Sequence, residues 1–171
     1  LVVKASSVEM LHKSEYGGVC LGLSSREEVC QALNQIKDLS DTYLVEEMVK
    51  DTVTEVLLGV LNDPQFGLSL TLGAGGIYTE LLEDTSVLLF PVSEDLIIES
   101  LEPLKLFKII QGWRGKPKGD LEAFVKAVLD FARFAEHHHH KLVQAEINPL
   151  AILPEGKGVK ILDALIEIKE N

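Results

Sequence analysis

Apolar residues recur along this chain with two different periods. Over Leu1–Ala5, Val19–Leu23, Tyr43–Met48 and Val53–Leu61 they are β-branched, alternating or densely packed, which predicts strands. Between them, Val29, Leu33 and Ile36 fall at spacings of four and three, and Ser25 with Glu28 supplies a capping box, so a helix is predicted there. Lys50-Asp51 and Asn62-Asp63-Pro64 read as turns, the second leading into an extended segment over Phe66–Leu72. Gly73-Ala74-Gly75-Gly76 is expected to interrupt the strands, which resume over Ile77–Leu82 and Ser86–Phe90.

Beyond Pro91 the pattern becomes helical. Ser93 can cap a short helix, Leu104–Ile110 can form another, and Gly112–Gly119 is too polar and glycine-rich to continue it. Asp120 then caps a longer helix whose stripe is Leu121, Phe124, Val125, Val128, Leu129 and Ala132. Strands return at Leu142–Ile147, Pro149–Leu153 and Val159–Asp163, with Glu155–Gly158 as a hairpin turn. Short strands punctuated by glycine favour an α+β fold with a mixed or antiparallel sheet over repeated βαβ units. The expected division is a partial amino-terminal subdomain over 1–42 and a larger carboxy-terminal one over 43–171.

Composition narrows the function classes. At 171 residues and 46% hydrophobic content the chain can bury a core, which argues against disorder. The 27 acidic against 16 basic side chains leave a net charge of -11, with no broad positive surface to gather nucleic acid. Few aromatics stand beside basic residues, so no base-stacking platform is predicted either. Cys20 and Cys30 are the only cysteines and read as reduced packing residues, not as a disulfide scaffold or metal cluster. No leader or membrane-length apolar run is present, and a cytoplasmic, membrane-free protein is expected. The chain opens at Leu1 in a strand-like run without an initiator Met, and a fragment or processed product is expected.

The densest candidate chemistry is Glu146-Ile147-Asn148-Pro149-Leu150, followed after a strand-turn-strand interval by Asp163. A hairpin of that length can bring Asn148 and Asp163 around one oxygen-seeking cation, and Mg²⁺ so held can join nucleotide phosphates. The same residues also suit a bland reading, with Asn148 satisfying backbone near Pro149 and Asp163 solvated at a strand end. Glu146 fits either a site carboxylate or a surface one. Lys4, in the first strand, can reach phosphates as a point charge or sit as an edge-strand lysine. At the end of a strand, Glu46, Glu47 and Met48 suit an adenine edge, a ribose and a covering side chain. His12 carries an imidazole able to act as a nucleophile near neutral pH, although most lone histidines are structural or exposed. The glycines at 73–76 lack the full Walker spacing and read as tight sheet turns. His137-His138-His139-His140 reads as an exposed polar turn, because four adjacent imidazoles cannot converge on one ion from a regular backbone.

In their order along the chain, several segments together resemble the ATP-grasp domain of NDP-forming acyl-CoA synthetases, the ADP-forming acetate–CoA ligase beta subunit or its fused equivalent. They are Lys4, the stretch around Leu11-His12-Lys13, Glu46–Met48, Glu55–Gly59, Asp63–Gly67, Gly73–Leu82, Gly112–Gly115, Glu146–Leu150 and Asp163. The resemblance spans nearly the whole chain, with the amino-terminal part of the usual region absent. It implies an ATP-grasp fold, Mg²⁺ and ATP or ADP as ligands, and a partner domain or alpha subunit that binds CoA and handles the acyl group. By this likeness Lys4 and Arg114 contact phosphate, Glu46-Glu47-Met48 forms the nucleotide hinge and Asn148 with Asp163 holds magnesium. Glu146 lies beside them on the catalytic strand, and His12 carries a phosphohistidine relay. Arg114 equally suits a solvent-facing loop. The implied reaction interconverts acyl-CoA, ADP and phosphate with the free acid, ATP and CoA. The alternative implied by the fold is a nucleotide-sensing or structural module of a protein acyltransferase.

Overall fold

The computed structural model describes residues 1–6, 17–76 and 84–169. The chain forms two compact units, Leu1–Lys50 and Asp51–Asn171.

In the first unit, β1 (Val2–Ala5) is flanked by β2 (Val19–Cys20) and β3 (Tyr43–Glu46), all antiparallel. β2 is only two residues long because Gly22 turns away at φ +74, so the strand expected through Leu23 stops early. The helix α1 (Arg26–Ile36) starts where Ser25 Oγ accepts the Glu28 N–H at 3.1 Å. Glu28 returns its carboxylate to the Ser24 N–H at 2.6 Å, one residue earlier than an ideal capping box. Val3 and Ala5 point to one face of β1 and bury Ala32 and Ile36 of α1. Lys4 therefore lies on the opposite face. Because β3 pairs along all four residues of β1, Tyr43–Glu46 belongs with the first unit, and the division follows Lys50.

The second unit is a six-stranded antiparallel sheet covered on one face by helices. Its strands are β4 (Thr54–Asp63), β5 (Gly67–Ala74), β6 (Thr85–Leu89), β7 (Leu142–Ile152), β8 (Val159–Ile161) and β9 (Ala164–Ile168). They run in the order β6-β5-β4-β7-β8, with β9 continuing the same edge of β7 as β8. The turn into β5 forms because Asp63 Oδ1 accepts the Gln65 and Phe66 N–H groups at 2.7 and 2.9 Å, and Gly67 takes φ +75. Gly73 and Ala74 do not interrupt β5 as expected. They extend it, because a Cβ at Gly73 would lie 2.5 Å from the Asp84 carbonyl oxygen, and only glycine allows that strand to approach. The strand expected over 77–82 lies outside the described residues.

The helices α2 (Glu94–Leu101), α3 (Lys105–Ile110) and α4 (Leu121–His138) follow the expected order. Ser93 Oγ caps α2, and Asp84 caps α3 from a distant part of the chain through the Lys105 and Leu106 N–H groups at 2.9 and 2.7 Å. Val56, Leu58 and Val60 of β4 face Phe124 and Val128 of α4, Ile97 of α2 and Leu106 of α3 in one continuous core. Leu142–Leu153, expected as two strands, is essentially one, because β7 absorbs Pro149 in a bulge. Among the described residues, no helix is long and apolar enough to cross a membrane.

Candidate functional site

Alternation along β4 and β7 sorts their side chains between two faces. Val56, Leu58 and Val60 enter the core, which leaves Glu55, Leu57 and Gly59 on the face without helices. On β7, Ala145 and Ile147 are buried, and Glu146 and Asn148 share the opposite face. Pairing sets Glu146 opposite Gly59 on one side and Leu165 on the other. Small Gly59 thus leaves room over the sheet beside the Glu146 carboxylate.

The register then shifts. Val56 pairs with Leu150 but Leu58 with Ile147, so Leu57 faces two residues, Asn148 and Pro149, whose peptide bond is cis. A bulge of this kind bends the strand and re-aims the side chains at it. The Asn148 N–H donates to the Asp163 carbonyl at 3.1 Å, and Leu162 N–H to that of Pro149 at 3.0 Å. Asn148 and Asp163, 15 positions apart in sequence, are thereby adjacent across the β7 edge, as the hairpin spacing predicts. The Asp163 carboxylate accepts the N–H of Ala164 at 3.0 Å, which orients it at the start of β9.

The backbone just after β5 closes on this corner. The Asn148 side-chain oxygen accepts the Gly76 N–H at 3.0 Å, and the Gly75 N–H donates to the Glu55 carbonyl at 2.9 Å. A Cβ on Gly75 would lie 2.7 Å from the Val56 oxygen and 2.8 Å from the Leu57 nitrogen, while one on Gly76, at φ +68, would strike the Glu55 carboxylate. The glycine pair lets the backbone come down onto β4 and hold the Asn148 amide. Glu55 was not among the expected site residues, although its place in the β4 alternation already put it on the face of Glu146.

Glu55 and Glu146 lie on the same face of the sheet as Asn148, and oxygen donors of this kind suit Mg²⁺ better than a soft metal. Among the described residues, no group of three or more His, Cys, Asp or Glu side chains is assembled to hold a metal alone.

The first unit places a separate pair together. Lys4 registers with Leu44 and Val2 with Glu46, so Lys4 and Glu46 are diagonal neighbours on one face of β1 and β3. Their charged ends meet at 2.6 Å, with the Lys4 side chain only 13% exposed. β3 ends at Glu46, after which Glu47 is exposed and Met48 half-buried in irregular backbone. Arg114 belongs to the second unit, in a short 3-10 turn over Trp113–Gly115. It has φ 51, and its guanidinium lies 5.6 Å from the centre of the Trp113 ring. His12 lies outside the described residues. His137–His140 are all exposed at the end of α4, where the Asn62 amide donates to the carbonyls of His139 and Leu142. The hollow lined by Lys37, Asp38, Ser40 and Thr42 contains none of the expected site residues.

Known proteins share this arrangement of strands and helices over nearly the whole chain. The beta subunit of ADP-forming acetate–CoA ligase II from Pyrococcus furiosus is 29% identical over 99% of this chain and 75% of its own length. An ADP-forming acetate–CoA ligase from Methanocaldococcus jannaschii is 30% identical over 96% of this chain, which spans only a quarter of that relative. The dinucleotide-forming acetyl-coenzyme A synthetase 1 of Ca. Korarchaeum cryptofilum superposes with a TM-score of 0.84 at 32% identity, covering 99% of this chain and 76% of that one. That structure holds coenzyme A and Mg-AMPPCP, with its phosphohistidine segment pointing towards the nucleotide binding site. The ATP-grasp domain model matches residues 1–168, and with the sheet, bulge and helix layers described above it shows that this chain belongs to the ATP-grasp domain family.

Proposed function

We propose that this chain is the nucleotide-handling portion of an ADP-forming acyl-CoA synthetase. It would work in the cytoplasm with a CoA-binding, acyl-handling domain or alpha subunit. The observation that carries this reading is the near-complete match to a beta subunit of an ADP-forming acetate–CoA ligase, covering 99% of this chain. The oxygen-donor corner at Asn148 and Asp163 is chemically compatible with it.

In the proposed reaction, phosphate attacks the thioester carbonyl and the CoA thiolate leaves, giving an acyl phosphate. The His12 imidazole then takes the phosphoryl group as the P–O bond breaks and the carboxylate departs. A terminal phosphate oxygen of ADP finally displaces the imidazole and forms ATP.

Lys4 and Arg114 are proposed to contact phosphate, Glu47 and Met48 to receive ribose and adenine beside Glu46, and Asn148 with Asp163 to hold Mg²⁺. Glu146 would orient the transferring group from the same strand. The ion, when bound, neutralises phosphate charge that would otherwise repel the incoming nucleophile.

The test is reconstitution with the CoA-binding component and measurement of ATP formed from acyl-CoA, ADP and phosphate. His12→Gln is expected to abolish turnover and the acid-labile phosphoprotein, while leaving Mg-ADP binding intact. Full turnover in His12→Gln would refute the relay. Nucleotide binding without any phosphoryl transfer in the unaltered assembly would favour a sensing or structural module.

A further inference from the structure

Lys4 is the proposed phosphate contact, yet its charge already has an anionic partner. The Lys4 ammonium and a Glu46 carboxylate oxygen stand 2.6 Å apart, and that oxygen is buried. Among the described residues, it accepts no well-aligned hydrogen bond. The contact has the distance of a hydrogen bond but not its direction, so attraction between charges holds it. Removing Lys4 from water without compensation would be costly, and Glu46 contributes to that compensation. A nucleotide phosphate offers the same kind of oxygen with greater charge and several acceptor positions.

We propose that Glu46 is an internal competitor for phosphate: it holds the Lys4 ammonium in the unliganded protein and must release it when nucleotide binds. This rests on the reading of Lys4 as a phosphate contact. It also separates two acidic neighbours that the sequence treats alike. Glu46 faces Lys4 from the last residue of β3, whereas Glu47 lies beyond the strand and is exposed. The Glu46 carboxylate is thus committed to lysine, and Glu47 is the one available to a ribose.

The consequence is a trade between affinity and stability. Neutralising Glu46 removes the competitor and favours phosphate, but leaves a mostly buried ammonium with weaker compensation when no ligand is bound. A residue that merely shaped the hinge would not link these two effects, nor would its loss distinguish phosphorylated ligands from adenosine.

The experiment is calorimetric titration of the full-length protein, with its partner component, by Mg-ADP and by adenosine. It compares the unaltered protein with Glu46→Gln, Lys4→Met and the double variant. Glu46→Gln is expected to tighten Mg-ADP about three- to tenfold and to leave adenosine unchanged. Lys4→Met should weaken Mg-ADP at least roughly tenfold, and the double variant should match it, because the gain requires the lysine. Without ligand, Glu46→Gln should melt at a lower temperature than the unaltered protein. Should it fail to fold, Glu46→Asp retains the charge on a shorter stem and is expected to give a smaller gain in the same direction.

Unchanged or weaker Mg-ADP binding in whichever of these variants folds, or an equal gain for adenosine, would overturn the proposal while leaving the nucleotide site standing. Absence of Mg-ADP binding by the unaltered protein would instead overturn the underlying reading, and this proposal with it.

Discussion

Asp120 ties the longest helix to the hairpin that leads toward Asp163, and replacing it with alanine should loosen both. One carboxylate oxygen caps α4 through the Ala123 N–H at 3.1 Å, and the other accepts the Gly158 N–H at 2.8 Å. The backbone reinforces the clasp, with the Asp120 N–H donating to Leu153 and the Phe124 N–H to Asp120. An N-cap contributes about 1 kcal/mol, and a hydrogen bond to an ionised group about 1.5–3 kcal/mol. Because the two bonds share one side chain and are not additive, Asp120→Ala should cost about 2–4 kcal/mol. For a unit of this size that is a melting shift of roughly 5–15 °C. Trp113, the sole tryptophan and seven residues upstream, is a fluorescence reporter for urea unfolding of this unit.

The same contacts give the prediction a pH signature. The Gly158 and Ala123 N–H groups, opposed by desolvation, hold the Asp120 carboxyl below its ordinary value of 3.8. A depressed folded-state pKa means that the stabilisation is present above the unfolded value. It is lost as pH falls below about 4, through the folded one. Asp120→Asn should therefore be destabilised at neutral pH and should show a shallower loss of stability in that acid window. A cost under about 0.5 kcal/mol at neutral pH, or an unchanged acid slope in Asp120→Asn, would refute the clasp.

Three further outcomes follow from the geometry. Asp84→Ala should cost about 1–3 kcal/mol, because it strips the side-chain cap from α3 and leaves the buried Leu106 N–H without this acceptor; urea titration measures it. Gly75→Ala should cost more than about 3 kcal/mol or prevent folding, since its Cβ would collide with the β4 backbone and no rotamer relieves that; soluble yield and melting temperature report it. Asn148→Ala should weaken Mg-ADP at least roughly tenfold while free ADP without magnesium changes little, a contrast that calorimetry with and without the ion can establish.

Much of the fold was legible because local chemistry and tertiary structure agree. Ser25, Ser93 and Asp120 cap the helices they were expected to cap, and the strand expected over Val53–Leu61 forms as β4. The spacing from Asn148 to Asp163 likewise anticipated their meeting, since a hairpin must return its strand beside the first. Other features escaped for definite reasons. Gly73 looked like a strand breaker, but its absent side chain is what lets β5 pass the Asp84 carbonyl. Glu55 looked like one more acid until Gly76 descended onto it, and the cap of α3 comes from Asp84, 21 residues before Lys105.

Periodicity, caps and turns are properties of neighbouring residues, so the sequence alone was enough to set the helices, most strands and an α+β class with a mixed or antiparallel sheet. It also put Glu146 at the end of one expected strand with Asn148 just beyond it, and the folded chain joined both into β7. Only the folded chain decided that a bulge would re-aim Asn148, that Gly76 would hold its amide, and that Glu46 and not Glu47 would meet Lys4. Those outcomes depend on register between distant strands. A shift of one residue exchanges the two faces of a strand, and nothing in the local spacing around Glu46 reveals which neighbour β1 will present.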